Sequence, residues 1–509
     1  MTSPPFVPAS LEAMLRERLR ACDNWLRFDA FMDLALYTPH TGYYCRQENP
    51  FGPNADFVTA PALSPLFGAC VGRQIAEVFE ALEAAGVQGV QRVQGVQAVE
   101  GVQAAQRAEG LQGARRAGQA SSAPRLVEFG AGDGRLATQV LAALRARGIA
   151  PQYHIVEVSA PLRAMQHDRI LRHAPQDLPR VDWLEQLPEP GFRGVILANE
   201  VLDAMPVRLF VFAGEDRGEG RWLERGVSLA DTLSCGVRAG IADPPPHNLR
   251  AGIADPLPHH SRAGAHGVLP HTPGFEAHRL VFADRDVGAT QSSLLDAHRA
   301  RCQRVWREPW PAGMIVEWHE RAQAWLRTLA GRISAGMILL IDYGFPAHEY
   351  YLPARHMGTL VAHRAQRVTT EVLANPGHQD LSVHLDFTAL ARVGLEAGLE
   401  LAGYCSQARF LLNCGLLELA LSPIHLPETQ RPGASSPIDS PEAQRPDALR
   451  ALASAEQARR LAGVQRLISD AEMGELFKVM AFTRGIPPEL LGFSRGDRRG
   501  RLGLEASPC

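Results

Sequence analysis

Val127-Glu128-Phe129-Gly130-Ala131-Gly132-Asp133-Gly134-Arg135 is the stretch on which the fold turns. A short apolar run, Arg125 to Phe129, ends in three alternate glycines, and Leu136 to Arg145 follows with apolar residues at helical spacing. Glycine lets a backbone turn sharply at a strand end and come close to a ligand. Strand, glycine turn and helix in this order open a Rossmann-like α/β unit. The dinucleotide pattern G-x-G-x-x-G would want a small residue at position 135, where an arginine stands. The loop reads instead as E-x-G-x-G-x-G, which disfavours a nicotinamide enzyme.

Outward from the loop the alternation continues. Gln152 to Val158 reads as a second strand and Pro161 to Leu171 as a second helix. Further strands are expected at Val181–Leu184, Gly194–Ala198, Met337–Asp342, Leu401–Cys405 and Leu476–Phe482, with a helix over Ile315 to Leu329. Strands alternating with helices predict a mostly parallel sheet covered on both faces. In such sheets ligands bind beyond the carboxyl ends of the strands, near the switch in strand order. Three stretches break the pattern: residues 86–123, rich in V-Q-G-V-Q; a twelve-residue repeat beginning Arg238-Ala-Gly-Ile-Ala-Asp-Pro; and the P-E-T-Q-R-P and P-E-A-Q-R-P copies between Pro427 and Pro446. Such segments bury too little apolar surface to offset their ordering entropy, so they read as insertions. The expected organisation is a helical N-terminal lid segment (1–85), an insertion (86–123), a catalytic domain (124–485, interrupted at about 228–275 and 425–447) and a tail (486–509).

Composition narrows the class. The 509 residues carry a formal net charge of -3, so no global basic field draws in nucleic acid. No run of about 18 apolar residues is present, so no membrane insertion is expected. Met1 to Leu19 places Glu12 and Glu17 among its arginines, unlike a secretory or transit peptide, and a cytoplasmic location is expected. The eight cysteines contain no C-x-x-C pair and read as reduced thiols, with no metal site. Five histidines in the second insertion (His247, His259, His260, His266 and His271) read as low complexity before they read as ligands. Lys478 is the sole lysine, and no G-x-x-x-x-G-K-[ST] loop exists, which leaves P-loop chemistry out.

The residues point to the cofactor. E-x-G-x-G-x-G is the loop typical of methyltransferases that use S-adenosylmethionine, and Glu128 suits a zwitterionic methionine tail with its sulfonium. Glu157, some twenty residues beyond the glycines, stands where an acid bonds ribose hydroxyls. Glu128, Gly130, Gly132, Gly134 and Glu157 are therefore the expected heart of the cofactor site, in a class I S-adenosylmethionine-dependent methyltransferase fold. After the Gly194–Ala198 strand come Asn199-Glu200-Val201-Leu202-Asp203. Asn199 could cap a following helix with Glu200 in its first turn, or Glu200 and Asp203 could face the reacting methyl group.

More of the chain is recognisable. Phe31-Met32, Ala35-Leu36-Tyr37, Pro39 and Gly42-Tyr43-Tyr44, then Asp56-Phe57-Val58-Thr59-Ala60-Pro61 and Leu63-Ser64-Pro65-Leu66-Phe67-Gly68, resemble the opening motifs of the MidA family. The Glu128–Gly134 loop, His154 to Arg163, Asn199 to Ala204, Val316-Glu317-Trp318-His319, Ile341-Asp342-Tyr343-Gly344, Gln379-Asp380-Leu381, His384, Asp386-Phe387 and Glu472 to Lys478 follow in the family's order. The likeness spans about residues 28 to 485 outside the insertions. Ala55 and Ala62 stand where the family often carries Gly and Glu, and Ser382-Val383 replaces a usual Thr-Ala.

These are methyltransferases linked in mitochondria to complex I assembly. The resemblance implies an S-adenosylmethionine-dependent enzyme acting on arginine of a protein substrate, with a complex I subunit as the mitochondrial example. An assembly factor without catalysis, or methylation of another nucleophile, are the alternatives. Carboxylates should grip a guanidinium in a fork, so Glu200 and Asp203 are candidate catalytic residues. Thr59, Pro61 and Asn199 join the candidate cofactor contacts, with the N-terminal segment folding over the cofactor. His384, near Asp386, is a candidate proton relay, although Asp386 could equally cap the helix after it. Tyr343, Tyr350 and Tyr351 could wall a substrate channel or simply pack.

Overall fold

The computed structural model describes residues 10–46, 51, 58–85, 124–216, 219–230, 238–239, 279–305, 309–422 and 445–504. The first low-complexity stretch, most of the other two and all five histidines of the second lie outside the described residues.

The principal sheet contains seven strands, numbered here along the chain: β1 Arg125–Phe129, β2 Gln152–Val156, β3 Val181–Leu184, β4 Phe192–Asn199, β5 Ile333–Phe345, β6 Glu400–Ser406 and β7 Phe477–Arg484. Their order across the sheet is β3-β2-β1-β4-β5-β7-β6, and the short strand Leu385–Asp386 adds to the end of β5. β1 to β5 pair in parallel, whereas β7 enters antiparallel between β5 and β6. The mostly parallel α/β architecture expected from the glycine loop is therefore the observed one. The order reverses between β1 and β4, which opens a crevice at their carboxyl ends.

Both faces of the sheet are covered, as its apolar strands require. Helices Pro65–Ala84 and Arg135–Arg145 pack against one face through Phe67, Val71, Ile75, Leu141 and Leu144. Helices Glu320–Arg332 and Phe387–Glu396 cover the other through Leu326, Leu329, Phe387 and Leu390. Two glycines let the central strands approach. A Cβ on Gly194 (φ +147°) would lie 2.1 Å from the Arg125 carbonyl oxygen, and one on Gly336 (φ +130°) 1.8 Å from that of Gly194.

Between β4 and β5 the chain leaves the sheet and builds a second, antiparallel one. Its strands run in the order Met314–Trp318, Arg208–Asp216, Glu219–Leu229, Leu280–Asp286, Arg238–Ala239, and Leu26–Arg27 pairs with Glu219–Leu229. This sheet was not foreseen, and the helix expected over Ile315 to Leu329 is corrected by it. Met314–Trp318 is a strand paired to Arg208–Phe212, and the helix begins only at Glu320. The reason is burial on both faces. Leu209 and Val211 face the N-terminal helices Leu11–Ala21 and Phe28–Tyr37, while Phe210 and Phe212 face helix Ala289–Val305. The strand therefore reads as an unbroken apolar run, without the polar alternation that marks a half-buried strand. A buried bidentate ion pair, Arg225 Nε and Nη2 to Asp284 at 2.9 and 3.0 Å, spans two of its strands.

Candidate active site

At the carboxyl ends of β1, β2, β4 and β5 lies a cavity of about 950 Å³. It is at the upper end of the usual range for ligand pockets, about 300–1,000 Å³, so a cofactor and an acceptor group fit together. The glycine loop forms its floor. Gly130, Gly132 and Gly134 all adopt left-handed backbone, with φ of +57°, +53° and +78°, where a side chain would be strained. Gly134 leads into helix Arg135–Arg145, and a Cβ there would meet the Gln166 backbone at 3.0 Å. Asp133 fixes the turn by accepting from the Arg135 backbone N–H at 3.0 Å and from Arg169 Nη2 at 2.7 Å.

Two carboxylates flank the loop. Glu128, 2 % exposed, accepts from the Tyr153 hydroxyl at 2.7 Å, and burial pushes its carboxyl up to about 7. Glu157, at the end of β2, accepts from the Ser159 N–H at 3.0 Å and from Gln166 Nε2 at 3.1 Å; burial raises its proton affinity as well. Gln166 ties these parts together. Its Nε2 also donates to the Gly132 carbonyl at 2.9 Å, and its Oε1 accepts from Trp183 Nε1 at 2.9 Å. Gln166 is marked in the sequence by its position between Leu162 and Ile170 on the buried stripe of helix Ala160–His173, where a polar residue needs partners.

The opposite wall is the loop after β4. No helix starts at Asn199, so the capping alternative does not hold. Glu200 takes a left-handed conformation (φ +54°), and its N–H donates to the Ile341 carbonyl at 2.9 Å. Asp342, wholly buried in β5 beside the end of β4, accepts from the N–H groups of Val201, Leu202 and Asp203 at 3.2, 2.9 and 3.4 Å and from Tyr343 at 2.8 Å. It holds the loop in shape, a role visible only once the two strands are side by side. A Cβ on Gly130 would lie 3.1 Å from Val201 Cγ2, so the loop packs directly on the glycine turn.

Glu200 and Asp203 both line the cavity. Asn199 Nδ2 donates to Glu200 Oε1 at 3.2 Å, and the Ser382 hydroxyl donates to Asp203 Oδ2 at 3.0 Å. Ser382 thus supplies the hydroxyl that the MidA-like motif carries as Thr. Burial, with Asp203 adding to it, pushes Glu200 up to about 8, and burial lifts Asp203 to about 6. Asn199 Oδ1 and Asp203 Oδ1 are buried without a hydrogen-bond partner among the described residues. These two acceptors at the cavity wall fit a ligand that brings donors or positive charge.

The N-terminal segment closes the cavity from above. Tyr37, Tyr44, Phe51, Thr59 and Pro61 line it. Tyr37 and Tyr44 stack at 5.7 Å, the Tyr37 hydroxyl donates to the Ala204 carbonyl at 2.9 Å, and the Tyr44 hydroxyl donates to Asp380 Oδ1 at 2.8 Å. Ala62 is exposed and is not part of the lining. His384 does not reach the cavity. Its ring stacks on Tyr343 at 5.9 Å, and burial holds it down to about 3, so it is neutral near pH 7. Asp386 caps helix Phe387–Glu396 by accepting from the Ala389 N–H at 3.1 Å. Glu317 is a fastener, accepting from the N–H groups of Thr359 and Leu360, each at 2.7 Å, and from the Tyr350 hydroxyl. Tyr350 and Tyr351 are 3 % and 2 % exposed and pack in the core, whereas Tyr343 lines the cavity.

Known proteins are similar to this chain. The profile of the Methyltransf_28 family, described as "Putative S-adenosyl-L-methionine-dependent methyltransferase", matches residues 108–405. A crystal structure of a COG1565 superfamily member from Burkholderia thailandensis bound to S-adenosyl-homocysteine is 34 % identical, covers 98 % of this chain and 100 % of its own, and superposes with a TM-score of 0.67. A native crystal structure of a COG1565 superfamily protein from the same organism is 33 % identical over 98 % of this chain and 100 % of its own, with a TM-score of 0.64. No curated protein matches the chain.

Proposed function

This chain belongs to the Methyltransf_28 family of S-adenosyl-L-methionine-dependent methyltransferases, the COG1565 and MidA proteins, and on that premise we propose that it transfers methyl groups to arginine of a protein substrate. The observation that carries the arginine reading is the pair of cavity carboxylates, Glu200 and Asp203, one of them with a buried oxygen left unpartnered among the described residues. A guanidinium brings both the charge and the forked donors that two such carboxylates match.

S-adenosylmethionine, when bound, supplies an electrophilic methyl group on a sulfonium. The glycine loop would hold it by close backbone approach, Glu157 would bond its ribose hydroxyls, and Glu128 and Asn199 would face its charged tail, with Thr59 and Pro61 above. Glu200 and Asp203 would orient the guanidinium, so that one nitrogen points at the methyl group. Alignment and exclusion of water are the main demands of such a transfer. Each transfer also releases one proton from the acceptor nitrogen. Glu200, with its proton affinity raised, is placed to take that proton, a task His384 cannot perform from behind Tyr343. The MidA resemblance directs the search for the substrate to subunits of respiratory complex I.

The test is label transfer. Purified chain, S-adenosylmethionine labelled in its methyl group and extract from a strain lacking the gene are combined, and the labelled protein is hydrolysed. Labelled methylarginine in a discrete band is the expected result. Label on another residue would replace the arginine reading, and S-adenosylmethionine binding without any label would favour a non-catalytic assembly factor.

A further inference from the structure

A second cavity, of about 330 Å³, lies away from the glycine loop. It forms where the first turn of helix Phe387–Glu396 meets helix Ala289–Val305, the short helix Ala347–Tyr350 and residues 500–503. Three arginines, Arg301, Arg392 and Arg501, line it. Asp386 is the one carboxylate lining it among the described residues; it caps the helix and also faces Arg392, so one negative group stands against three arginines. Arg501 is shared with Glu349 at 3.7 Å. Arg301 Nε is buried without a hydrogen-bond partner among the described residues. The charge is felt nearby: burial, reinforced by Arg301 and then Arg392, holds His298 down to about 3.

Guanidinium groups crowded into a partly closed space repel one another unless a counter-charge joins them. We propose that this cavity is a binding site for a small oxyanion of the phosphate or phosphate-monoester class, held between Arg301 and Arg392. Arginine forks match the tetrahedral oxygens of such an anion. The first turn of helix Phe387–Glu396, represented in the lining by Thr388 and Ala389, adds its positive dipole end. The floor is built rather than loose: the Thr388 hydroxyl donates to the Leu502 carbonyl at 3.0 Å and accepts from the Ala347 N–H at 2.9 Å. The volume, near the lower limit for ligand pockets, suits a small anion better than a peptide.

The test uses the full chain and inorganic phosphate at pH 7. Tm is followed as phosphate replaces chloride at constant ionic strength, since an ion that binds only the folded state stabilises it by RT ln(1 + [L]/Kd), so that Tm climbs with the logarithm of phosphate concentration once that exceeds Kd. The expected result for the wild type is this logarithmic rise, from which Kd is fitted. The fitted Kd should increase about tenfold or more in Arg301→Gln and in Arg392→Gln, the usual effect of losing a charge-assisted hydrogen bond. Arg392→Lys, which keeps the charge and loses the fork, should fall between them. Tm of each variant in chloride alone shows that the fold is intact. No rise in the wild type, or the same rise in the folded variants, overturns the site.

Discussion

At Glu200 the proposed chemistry meets backbone strain. A non-glycine residue in left-handed backbone costs about 1–3 kcal/mol, and the cost is met here by the hydrogen bonds that Ile341 and Asp342 make to the loop. Glu200→Gln keeps the shape and removes the charge. It is expected to lower kcat by about 100-fold, while isothermal titration shows S-adenosylhomocysteine binding little changed. The pH dependence has a definite sign. Below about 8 the empty site holds Glu200 largely as the neutral acid, so binding a guanidinium must first release a proton. The rate kcat/KM for the arginine substrate should therefore climb with pH and level off above about 8, and Glu200→Gln should lose that limb. A flat wild-type profile would remove Glu200 from its role. Gln166 acts on the other ligand. Gln166→Leu strips one donor from both the Gly132 carbonyl and Glu157 and should weaken cofactor binding about ten- to a hundredfold, with KM for the protein substrate unchanged.

At the scale of elements, the ends of strands matter more than their middles. Asp342, near the end of β5, shapes the loop that follows β4 by accepting from three of its backbone N–H groups. Asp342→Asn should lower kcat through a displaced Glu200 while leaving cofactor affinity near wild type, a split that separates it from Gln166→Leu. Asp386→Ala removes a helix cap and should cost about 1 kcal/mol of stability, read as a lower denaturation midpoint at unchanged slope. The parallel strands and the glycine turn were legible because apolar runs ending in glycine or acid have few other readings. The antiparallel sheet was not. Phe210 and Phe212 are needed by one layer and Leu209 and Val211 by another, and a run apolar at every position has no period to detect. Met314–Trp318 failed for the same reason, since Met314, Ile315, Val316 and Glu317 are all buried. Glu200 and Asp203 could be named from the sequence, whereas Asp342 gains its role only when strands 140 residues apart lie side by side, and Ser382 only when a segment 179 residues from Asp203 is folded against it.

Across the whole molecule, the buried acids set a direction for stability. Glu128, Glu200 and Asp203 bind protons more tightly when folded than an exposed carboxyl does. Such groups stabilise the fold below the unfolded value, about 4.5 or lower, and that contribution is lost as pH rises through about 6 to 8. The ligand-free chain should accordingly melt at lower temperature at pH 9 than at pH 7. Glu200→Gln, uncharged throughout, should narrow that difference, which paired melting curves at the two pH values would show; an equal difference in both proteins would contradict the burial of this acid.

The position of β7 has a consequence in time. It lies between β5 and β6, yet it is the last of the seven strands in the chain. A chain emerging in order therefore assembles β1 to β5 with one edge of β5 open, and β6 has no neighbour in the sheet until Phe477–Arg484 arrives. Long-range pairing of this kind slows folding and leaves an adhesive strand edge exposed meanwhile. Synthesis of this protein thus includes an interval of vulnerability that its finished architecture conceals, in which a chaperone, or the speed of the ribosome, decides between completion and aggregation.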